Sequence, residues 1–479
     1  MSLGDALARA PTIVAARRAL GERADVWVVG GGVRDAALGR DVLDADLALA
    51  GDPAEAARQI ASETRGPAFE LSCEFATWRV LLPGGGHLDV TALRGDRIEE
   101  DLRLRDFTAN ALAVPLAELA AAPLDPTGGL ADLERRLLRA ASERSFEDDP
   151  LRILRAARLA AGLRFELQGE TRELARASSA RAGEPAGERQ FAELRLLVGG
   201  PDPVRGLRLL DELDATPAVL PEFAALHGVG QNPNHHLDVH GHTVEVLSNL
   251  LDVEADLERY AGESAGEVRT LLAEPLADSL TRGEALRFGA ILHDTGKPAT
   301  RREQGGLVSF IGHDREGARV VRDACARLRT SRATARHLEA LAFHHLHLGF
   351  MATEHPLARR RLYDYLRLTE PVAADVTLLT VADRLAARGT GPTASAQMIE
   401  AHLELARAVL PAALAWHRDG PPRAPVAGDE LAAALGIAPG PELGRLLGEI
   451  EAAVFAGEVS ERDSAIELAR RSLARAGPG

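Results

Sequence analysis

The sequence contains few residues that cross-link chains or stack on bases. Its 479 residues include 2 cysteines, Cys73 and Cys325, which excludes a disulfide framework and fits a reducing compartment. Aromatic residues make up 4%, so binding of nucleic acid through many stacked rings is not expected. No apolar run approaches the ~20 residues that span a bilayer, and the N-terminal segment lacks the layout of a signal peptide. These absences predict a cytoplasmic protein with no membrane partner.

An excess of positive charge is also absent, because 71 acidic residues outnumber 56 basic ones. The formal net charge is -15, which argues against simple electrostatic binding of RNA. Of the 56 basic residues only one is a lysine, Lys297. A nucleic-acid function would therefore depend on local arginine-rich segments, such as residues 135–164.

The hydrophobic pattern divides the chain into an α/β part and a helical remainder. Short apolar runs predict strands at 26–33, 43–49, 75–82 and 87–93, with helices starting at 34 and spanning 53–65. Beyond residue 130, helical spacing dominates at 130–139, 147–162, 188–198 and 203–213. We predict an α+β fold: a domain at 1–140 with a mixed sheet and helices, all-α domains at 141–227 and 228–400, and a helical tail at 401–479.

The string GGGVRDAALGRDVLDADLAL, residues 30–49, has the features that phosphate chemistry requires. Glycines let backbone N–H groups approach a triphosphate closely, and an arginine adds a bidentate contact. Aspartates two apart on a strand share a face, and a further aspartate in HLDVT adds a third carboxylate from a neighbouring strand. Clustered carboxylates are costly without a cation, and Mg²⁺ is the expected one. The candidates are Gly30, Gly31, Gly32, Arg34, Asp44, Asp46 and Asp89.

Each of these patterns alone is more often a plain turn or a surface acid. Their order and spacing resemble the active-site signature of the bacterial-type tRNA nucleotidyltransferase and poly(A) polymerase family. The resemblance continues through DLRLRDFTANALAV at 101–114, DPTGGLADLERRLLRA at 125–140 and SFEDDPLRILRAARLAA at 145–161. It implies a nucleotidyltransferase palm in which Asp44 and Asp46 bind the catalytic metal and Asp89 is the further carboxylate.

The same resemblance implies roles in nucleotide recognition. Arg105 and Asp106 match the segment that reads the ribose, and Asn110 is a candidate for sugar or phosphate contact. Asp149 and Arg152 match the pair that reads the incoming base, and three-residue spacing predicts that they share a helix face. Without the resemblance, an ordinary surface ion pair is the simpler interpretation. Two further arginines continue the three-residue spacing and predict either phosphate contacts or a solvated basic face: Arg155 and Arg158.

The sequence departs from the family pattern at two places. Leu104 precedes Arg105, where family members often have a second arginine. The segment Arg94 to Asp101 is too short for the flexible loop that members completing the whole CCA end commonly carry. In the family a shortened loop is associated with partial addition, so the sequence predicts addition of CC alone.

A second group of metal ligands lies in the helical part. The order H…HD…D, with ILHDTGKP at 291–298, resembles HD-domain metal-dependent phosphohydrolases, a domain fused behind the transferase in some bacterial tRNA nucleotidyltransferases. The predicted ligands for Mg²⁺, Mn²⁺ or a transition metal are His242, His293, Asp294 and Asp383. Candidates for a second metal position or a phosphate contact are His313, His344 or His345, and Lys297. Other histidines in this part fit a structural role: His235, His236 and His240.

The leading hypothesis is an enzyme that adds C and/or A from CTP and ATP to the 3′ end of tRNA by two-metal nucleotidyl transfer. Its HD domain is predicted to hydrolyse a phosphoester, for example a 2′,3′-cyclic phosphate at a damaged RNA end. Three alternatives remain at this point: a poly(A) polymerase, an HD phosphohydrolase with a vestigial RNA-binding palm, and a helical RNA-binding scaffold. Intact Asp44, Asp46 and Asp89 argue against a vestigial palm, and the acidic net charge argues against a scaffold. The sequence does not indicate an oligomeric state.

Overall fold

The computed structural model describes residues 2–21, 23–72, 76–352, 354 and 356–476. Cys73, the first residue of the predicted strand 75–82 and the end of the predicted tail at 477–479 lie outside the described residues. The chain forms two compact units, Met1–Val219 and Leu220–Gly479. The finer division into four domains stays a prediction.

A six-stranded mixed sheet organises the N-terminal unit. The spatial order is β3-β4-β5-β2-β1-β6, with β2 and β5 parallel and every other neighbouring pair antiparallel. Its apolar core includes Val28, Leu47 and Val90, one from each of the three central strands. The strands are β1 (Val26–Val29), β2 (Ala45–Leu49), β3 (Ala68–Ser72), β4 (Thr77–Leu81), β5 (His87–Ala92) and β6 (Ala113–Pro115).

Twelve α-helices accompany this sheet in the described part of the N-terminal unit. Two short parallel strands, β7 (Leu137–Leu138) and β8 (Glu166–Leu167), lie among them. The helices are α1 (Leu3–Arg9), α2 (Pro11–Leu20), α3 (Gly31–Ala37), α4 (Pro53–Thr64), α5 (Ile98–Arg103), α6 (Gly129–Glu134), α7 (Ser145–Asp148), α8 (Arg152–Leu163), α9 (Gly169–Ala177), α10 (Gly187–Val198), α11 (Pro203–Glu212) and α12 (Thr216–Val219).

The structure corrects several predicted elements. The strand predicted to reach residue 33 ends at Val29, and the helix begins at Gly31, because Gly30 adopts a φ of 71° that stops the strand. The predicted helix 130–139 ends at Glu134 and gives way to β7. Strands β3 and β6 had no predicted counterpart.

The predicted helix 147–162 is two helices. Asp149 has an extended backbone, with φ -147° and ψ 99°, as expected for a residue that precedes proline. The chain therefore leaves the helical path at Asp149 and resumes it at Arg152. Asp149 and Arg152 do not share a helix face, so that prediction was wrong.

The C-terminal unit is mainly helical. A hairpin of β9 (Arg302–Gln304) and β10 (Leu307–Ser309) interrupts the region predicted to be all helix. The helices are α13 (Pro221–Ala224), α14 (Val239–Ala255), α15 (Leu257–Ala261), α16 (Ala265–Ala273), α17 (Arg282–Leu292), α18 (Lys297–Thr300), α19 (His313–Arg327), α20 (Arg332–His344), α21 (Arg359–Leu368), α22 (Ala373–Ala386), α23 (Ala396–Asp419), α24 (Gly428–Leu435), α25 (Pro441–Ala456) and α26 (Arg462–Ala476).

The end of the chain has an apolar cluster of its own. Leu431, Leu446 and Ile450 of α24 and α25 are buried against α26. Helix α23 runs through residue 401, where the predicted tail begins. In the described part of the chain, no helix combines the length and apolar character required to cross a bilayer.

Candidate active site and metal centre

The glycine turn after β1 brings backbone next to a carboxylate. A Cβ atom at Gly30 would lie 2.9 Å from Oδ2 of Asp46 and 3.2 Å from Nη1 of Arg105. The positive φ of Gly30 independently disfavours any other residue. Gly31 and Gly32 then begin α3. The turn therefore depends on glycine for two separate reasons.

Two of the predicted carboxylates face each other across neighbouring strands. Asp46 of β2 lies opposite Asp89 of the parallel strand β5. Burial raises the pKa of Asp46, and the charge of Asp89 raises it further against the opposing effect of Arg105. Arg79 donates two hydrogen bonds of 2.7 and 2.8 Å to Asp89. Paired carboxylates whose charges repel are typical of a site for a hard divalent cation, so these residues fit one.

Asp44 lies before β2 and not on it, which corrects the predicted strand 43–49. Its Oδ1 accepts a 2.9 Å hydrogen bond from the backbone N of His87 and lies 2.8 Å from the Nδ1 atom of that ring. The other ring nitrogen, Nε2, is 3.8 Å from Asp89. His87, which the sequence reasoning missed, thus stands between the two carboxylates. Among the described residues, Asp44, Asp46 and Asp89 do not form a group with all ligand atoms within 4.8 Å.

A cavity of about 220 Å³ opens beside Asp46. A neighbouring cavity of about 720 Å³ shares Asp46 and Arg105 with it, so both belong to one cleft of the N-terminal unit. The smaller cavity is lined by Gly30, Gly31, Asp46, Arg94, Arg105, Asp106, Asn110, Asp149, Leu151, Arg152, Arg155 and Arg189. Most of the nucleotide-binding residues predicted from the sequence therefore line one space.

The predicted ribose-reading carboxylate is held by several donors. Asp106 accepts hydrogen bonds from the backbone N of Phe107 at 2.8 Å and from Nδ2 of Asn110 at 3.0 Å. Burial alone would raise the pKa of Asp106, but Arg155 at 2.8 Å and these hydrogen bonds hold it well below its usual range. Arg34 in turn donates to Oδ1 of Asn110 at 2.8 Å. Asp106 is therefore an ionised acceptor facing the cavity.

The two arginines predicted either to contact phosphates or to form a solvated basic face are paired with a carboxylate. Nη1 of Arg155 donates to Glu193 at 2.9 Å, and Nε of Arg158 donates to the same carboxylate at 2.6 Å. Burial lowers the pKa of Arg158 against the opposing effect of Glu193. Glu193 lies on α10, far away in sequence, so spacing on α8 gave no signal for it. The solvated basic face is therefore wrong for these two residues.

The two predicted base-reading residues line the cavity without pairing with each other. Arg152 donates to the backbone carbonyls of Leu104 at 2.9 Å and Ser145 at 3.2 Å. Asp149 accepts a 2.8 Å hydrogen bond from Nη2 of Arg189, a residue the sequence reasoning missed. The alternative interpretation, an ordinary surface ion pair between Asp149 and Arg152, is wrong because the helix is interrupted between the two residues.

The C-terminal unit brings the predicted histidine and aspartate ligands together. Nε2 of His242 lies 3.0 Å from Asp383 and 3.7 Å from Asp294, and Nε2 of His293 lies 3.2 Å from Asp294. Although these distances are short, neither Nε2 atom meets hydrogen-bond geometry with a partner among the described residues. Ligand atoms of His242, His293 and Asp294 lie within 4.8 Å of one another. The donor set of imidazoles and carboxylates fits a divalent metal.

A second group shares Asp294. Nε2 of His313 lies 3.5 Å and Nε2 of His345 lies 3.8 Å from Oδ1 of Asp294, while the first group faces Oδ2. His344, one of the two candidates for this position, points elsewhere: its ring packs on Phe343, with 4.9 Å between the ring centres. Burial lowers the pKa of His344 to about 4. His345 therefore replaces His344, because neighbouring residues at a helix end point in different directions.

Backbone carbonyls fix the orientation of three of these imidazoles. The Nδ1 atom of His293 lies 2.9 Å from the carbonyl oxygen of Ala290. The Nδ1 atoms of His313 and His345 each lie 2.7 Å from the carbonyl oxygen of the residue three positions earlier. A hydrogen bond at Nδ1 places the proton there and leaves the Nε2 lone pair for a metal. The three rings are therefore prepared as ligands.

Lys297 reaches the same centre. Its Nζ lies 2.6 Å from Oδ2 of Asp294 and donates to Gln231 at 2.8 Å. A cavity of about 560 Å³ opens here, lined by Asp294, Lys297 and His235 among others.

The three histidines expected to have a structural role have different surroundings. His235 lies beside the metal centre, because the centre of its ring is 4.6 Å from that of the predicted ligand His242. Two other histidines have contacts in the unit: His236 lies 3.4 Å from Glu245, and His240 stacks on His227.

Family models match three parts of the chain. Residues 26–139 match the Poly A polymerase head domain, residues 164–226 the probable RNA- and SrmB-binding site of polymerase A, and residues 239–388 the HD domain. A nucleotidyltransferase head and an HD domain both imply the use of divalent metals.

Curated relatives match nearly the whole chain. It is 36% identical to the A-adding tRNA nucleotidyltransferase of Deinococcus radiodurans, covering 93% of this chain and 94% of the relative. It is 33% identical to the CC-adding tRNA nucleotidyltransferase of Thermus thermophilus, covering 92% of each. Among solved structures, a CCA-adding enzyme with CTP has a TM-score of 0.62 at 21% identity, covering 100% of this chain and 99% of that one, which shows a common fold. The chain belongs to the tRNA nucleotidyltransferase and poly(A) polymerase family, as the resemblance of its motifs predicted.

Proposed function

We propose that the protein adds C and/or A nucleotides from CTP and ATP to the 3′ end of tRNA. The observation that carries this proposal is the opposition of Asp46 and Asp89 beside Gly30, at a cavity that also contains Asp149 and Arg152. The similarity to an A-adding and a CC-adding tRNA nucleotidyltransferase supports it. We also propose that the protein is cytoplasmic.

The aspartates in and beside the cleft have distinct roles in this proposal. Asp44 and Asp46 would hold Mg²⁺, with Asp89 as the further carboxylate beside Asp46. When bound, Mg²⁺ activates the RNA hydroxyl and stabilises the leaving pyrophosphate. Asp106, kept ionised by its donors, accepts a hydrogen bond from the ribose 2′-OH and favours NTP over dNTP. Asp149 accepts from the amino group of cytosine or adenine.

A short fixed segment supports partial addition. Between β5 and α5, the backbone N and the Nε atom of Arg94 both donate to Oδ1 of Asp101, at 3.2 and 3.3 Å, and Arg105 donates to the other oxygen at 3.0 Å. A segment held in this way has little freedom to change the base-binding site from a shape that accepts cytosine to one that accepts adenine. We therefore propose addition of CC alone, with addition of the terminal A alone as the alternative.

Three tRNA substrates separate these activities. One ends before the CCA sequence, one carries a single C and one carries CC; each is incubated with CTP, with ATP and with both, and products are sized on a gel. CC addition predicts growth by two nucleotides on the first tRNA and none on the third. Growth of the third tRNA with ATP, without growth of the first with CTP, indicates an A-adding enzyme. Growth of the first tRNA by three nucleotides with both NTPs contradicts partial addition. A long adenylate tail on any substrate would identify a poly(A) polymerase.

We also propose that the C-terminal unit hydrolyses a phosphoester. The two ligand groups that share Asp294 support metal-assisted hydrolysis, and Lys297 supplies a compact cation for a phosphate oxygen. A 2′,3′-cyclic phosphate at a damaged RNA end is the substrate class we favour.

Replacement of the shared carboxylate tests this second activity. Asp294→Asn should abolish hydrolysis of 2′,3′-cyclic CMP in the presence of Mn²⁺, Ni²⁺ or Mg²⁺ and reduce the bound metal measured by elemental analysis. Asp46→Asn is the matched control, because it removes a carboxylate from the other unit and should leave hydrolysis unchanged. Equal hydrolysis by wild type and Asp294→Asn would contradict the proposal.

A further inference from the structure

Arg189 contacts the cavity from a different element than the predicted base-reading residues. It lies near the start of α10, and its Nη2 donates to Oδ2 of Asp149 at 2.8 Å. Both side chains line the smaller and the larger cavity of the cleft. The side chain of Arg189 is 45% exposed and that of Asp149 is 27% exposed, so the pair lies at the mouth of the cleft and not in the core.

The Asp149 carboxylate is oriented by two donors. Oδ1 accepts a 3.1 Å hydrogen bond from the backbone N of Leu151, and Oδ2 accepts from Arg189. A carboxylate offers about four acceptor positions, so each oxygen keeps one for a ligand. The bond from Leu151 is local, whereas the bond from Arg189 ties the carboxylate to another helix.

Arg152 cannot take over this task. Its Nη1 and Nη2 atoms donate to Leu104, Ser145 and Arg105 oxygens, at distances from 2.9 to 3.4 Å. These contacts fix the guanidinium on its own side of the cavity. In the described structure, Arg189 is the cation that contacts the Asp149 carboxylate.

We propose that Arg189 is a positioning residue for base selection, holding Asp149 in the orientation that accepts the amino group of cytosine or adenine. This inference rests on the proposed nucleotidyl transfer. Uracil and guanine present a carbonyl oxygen where cytosine and adenine present the amino group, so a fixed carboxylate opposes them through two facing acceptors. A carboxylate released from Arg189 can turn away and lose this discrimination.

The test measures kcat and KM for each of the four NTPs separately. In Arg189→Ala, the ratio of kcat/KM for the preferred nucleotide over UTP or GTP should fall about tenfold, the size of one charge-assisted hydrogen bond. Arg189→Lys should restore most of the ratio, because the ammonium can donate to the same oxygen. Arg58→Ala is the control, since Arg58 is 64% exposed on α4 and lies 3.9 Å from Asp52 outside the cleft.

Coupling to Asp149 separates positioning from a general structural role. Asp149→Asn should lower the same ratio, and adding Arg189→Ala to it should cause no further loss. An Arg189→Ala variant that keeps the ratio within about twofold of wild type, or a double variant whose losses multiply, overturns this inference alone. Failure of the wild-type protein to incorporate any nucleotide overturns the proposed function and this role together.

Discussion

The cluster of Glu193, Arg155, Arg158 and Asp106 gives a stability prediction that can be worked from the structure. Glu193 accepts from two arginines at 2.9 and 2.6 Å, and Arg155 also contacts Asp106 at 2.8 Å. Glu193→Gln keeps the shape of the side chain but removes its charge. The guanidinium groups of Arg155 and Arg158 then share a single nearby carboxylate, that of Asp106. Breaking a buried pair costs about 3–5 kcal/mol and breaking an exposed pair about 0–1 kcal/mol.

The cost of breaking this cluster should lie between the costs for a buried pair and for an exposed pair. The side chains of Arg155 and Arg158 are 34% and 20% exposed, so solvent screens part of the lost interaction. We expect Glu193→Gln to lower the free energy of unfolding of the N-terminal unit by about 2 kcal/mol. Because Arg155 also holds Asp106, the preference for CTP over dCTP should fall as well.

Tryptophan fluorescence can report on this unit alone. The 3 tryptophans of the chain are Trp27 and Trp78 in the N-terminal unit and Trp416 in the C-terminal unit. In a Trp416→Phe background, urea unfolding followed by fluorescence therefore reports on the sheet. The control is Glu173→Gln, whose side chain is 72% exposed and lies 3.5 Å from Arg176. A loss below about 0.5 kcal/mol, equal to that of the control, would refute the reasoning.

Three further predictions use the same assay. Asp46→Asn should unfold at higher urea than wild type without metal, because it removes one of two repelling carboxylates; Mg²⁺ at ten times its Kd should stabilise wild type by about 1.4 kcal/mol and the variant not at all. Gly30→Ala should cost about 1–2 kcal/mol, because its φ of 71° disfavours a side chain, and nucleotide addition should be lost through the clash with Asp46. The pKa of Asp106 is lowered, so its stabilisation should be complete above about pH 4 and be lost as pH falls further, an acid dependence that Asp106→Asn should flatten.

Contiguous motifs predicted most of the candidate site. Gly30, Asp46 and Asp89 were predicted from the glycine turn and from two strand segments, and the sheet brings them together because β2 and β5 are parallel neighbours. Asp44 was assigned to the strand by alternation, but the strand starts one residue later. The motif order thus predicted the location of the cleft, while the pairing partners depended on the fold.

The residues that the sequence analysis missed come from distant elements. Arg189 and Glu193 lie on α10, and no spacing on α8 indicates that they contact Asp149 and Arg155. The break at Pro150 could be anticipated, because a residue before proline disfavours helix. Choosing between adjacent histidines at the end of α20 required the direction of each side chain, which the sequence does not provide.

The most direct test of the central claim compares two carboxylates, one in each unit. Incorporation of labelled CMP and AMP into tRNA lacking its 3′ nucleotides is measured for wild type, Asp46→Asn and Asp294→Asn. If Asp46 holds the catalytic metal, its replacement should reduce incorporation by at least about a thousandfold, whereas Asp294→Asn should retain the wild-type rate. Incorporation by Asp46→Asn at the wild-type rate would contradict the assignment of the active site.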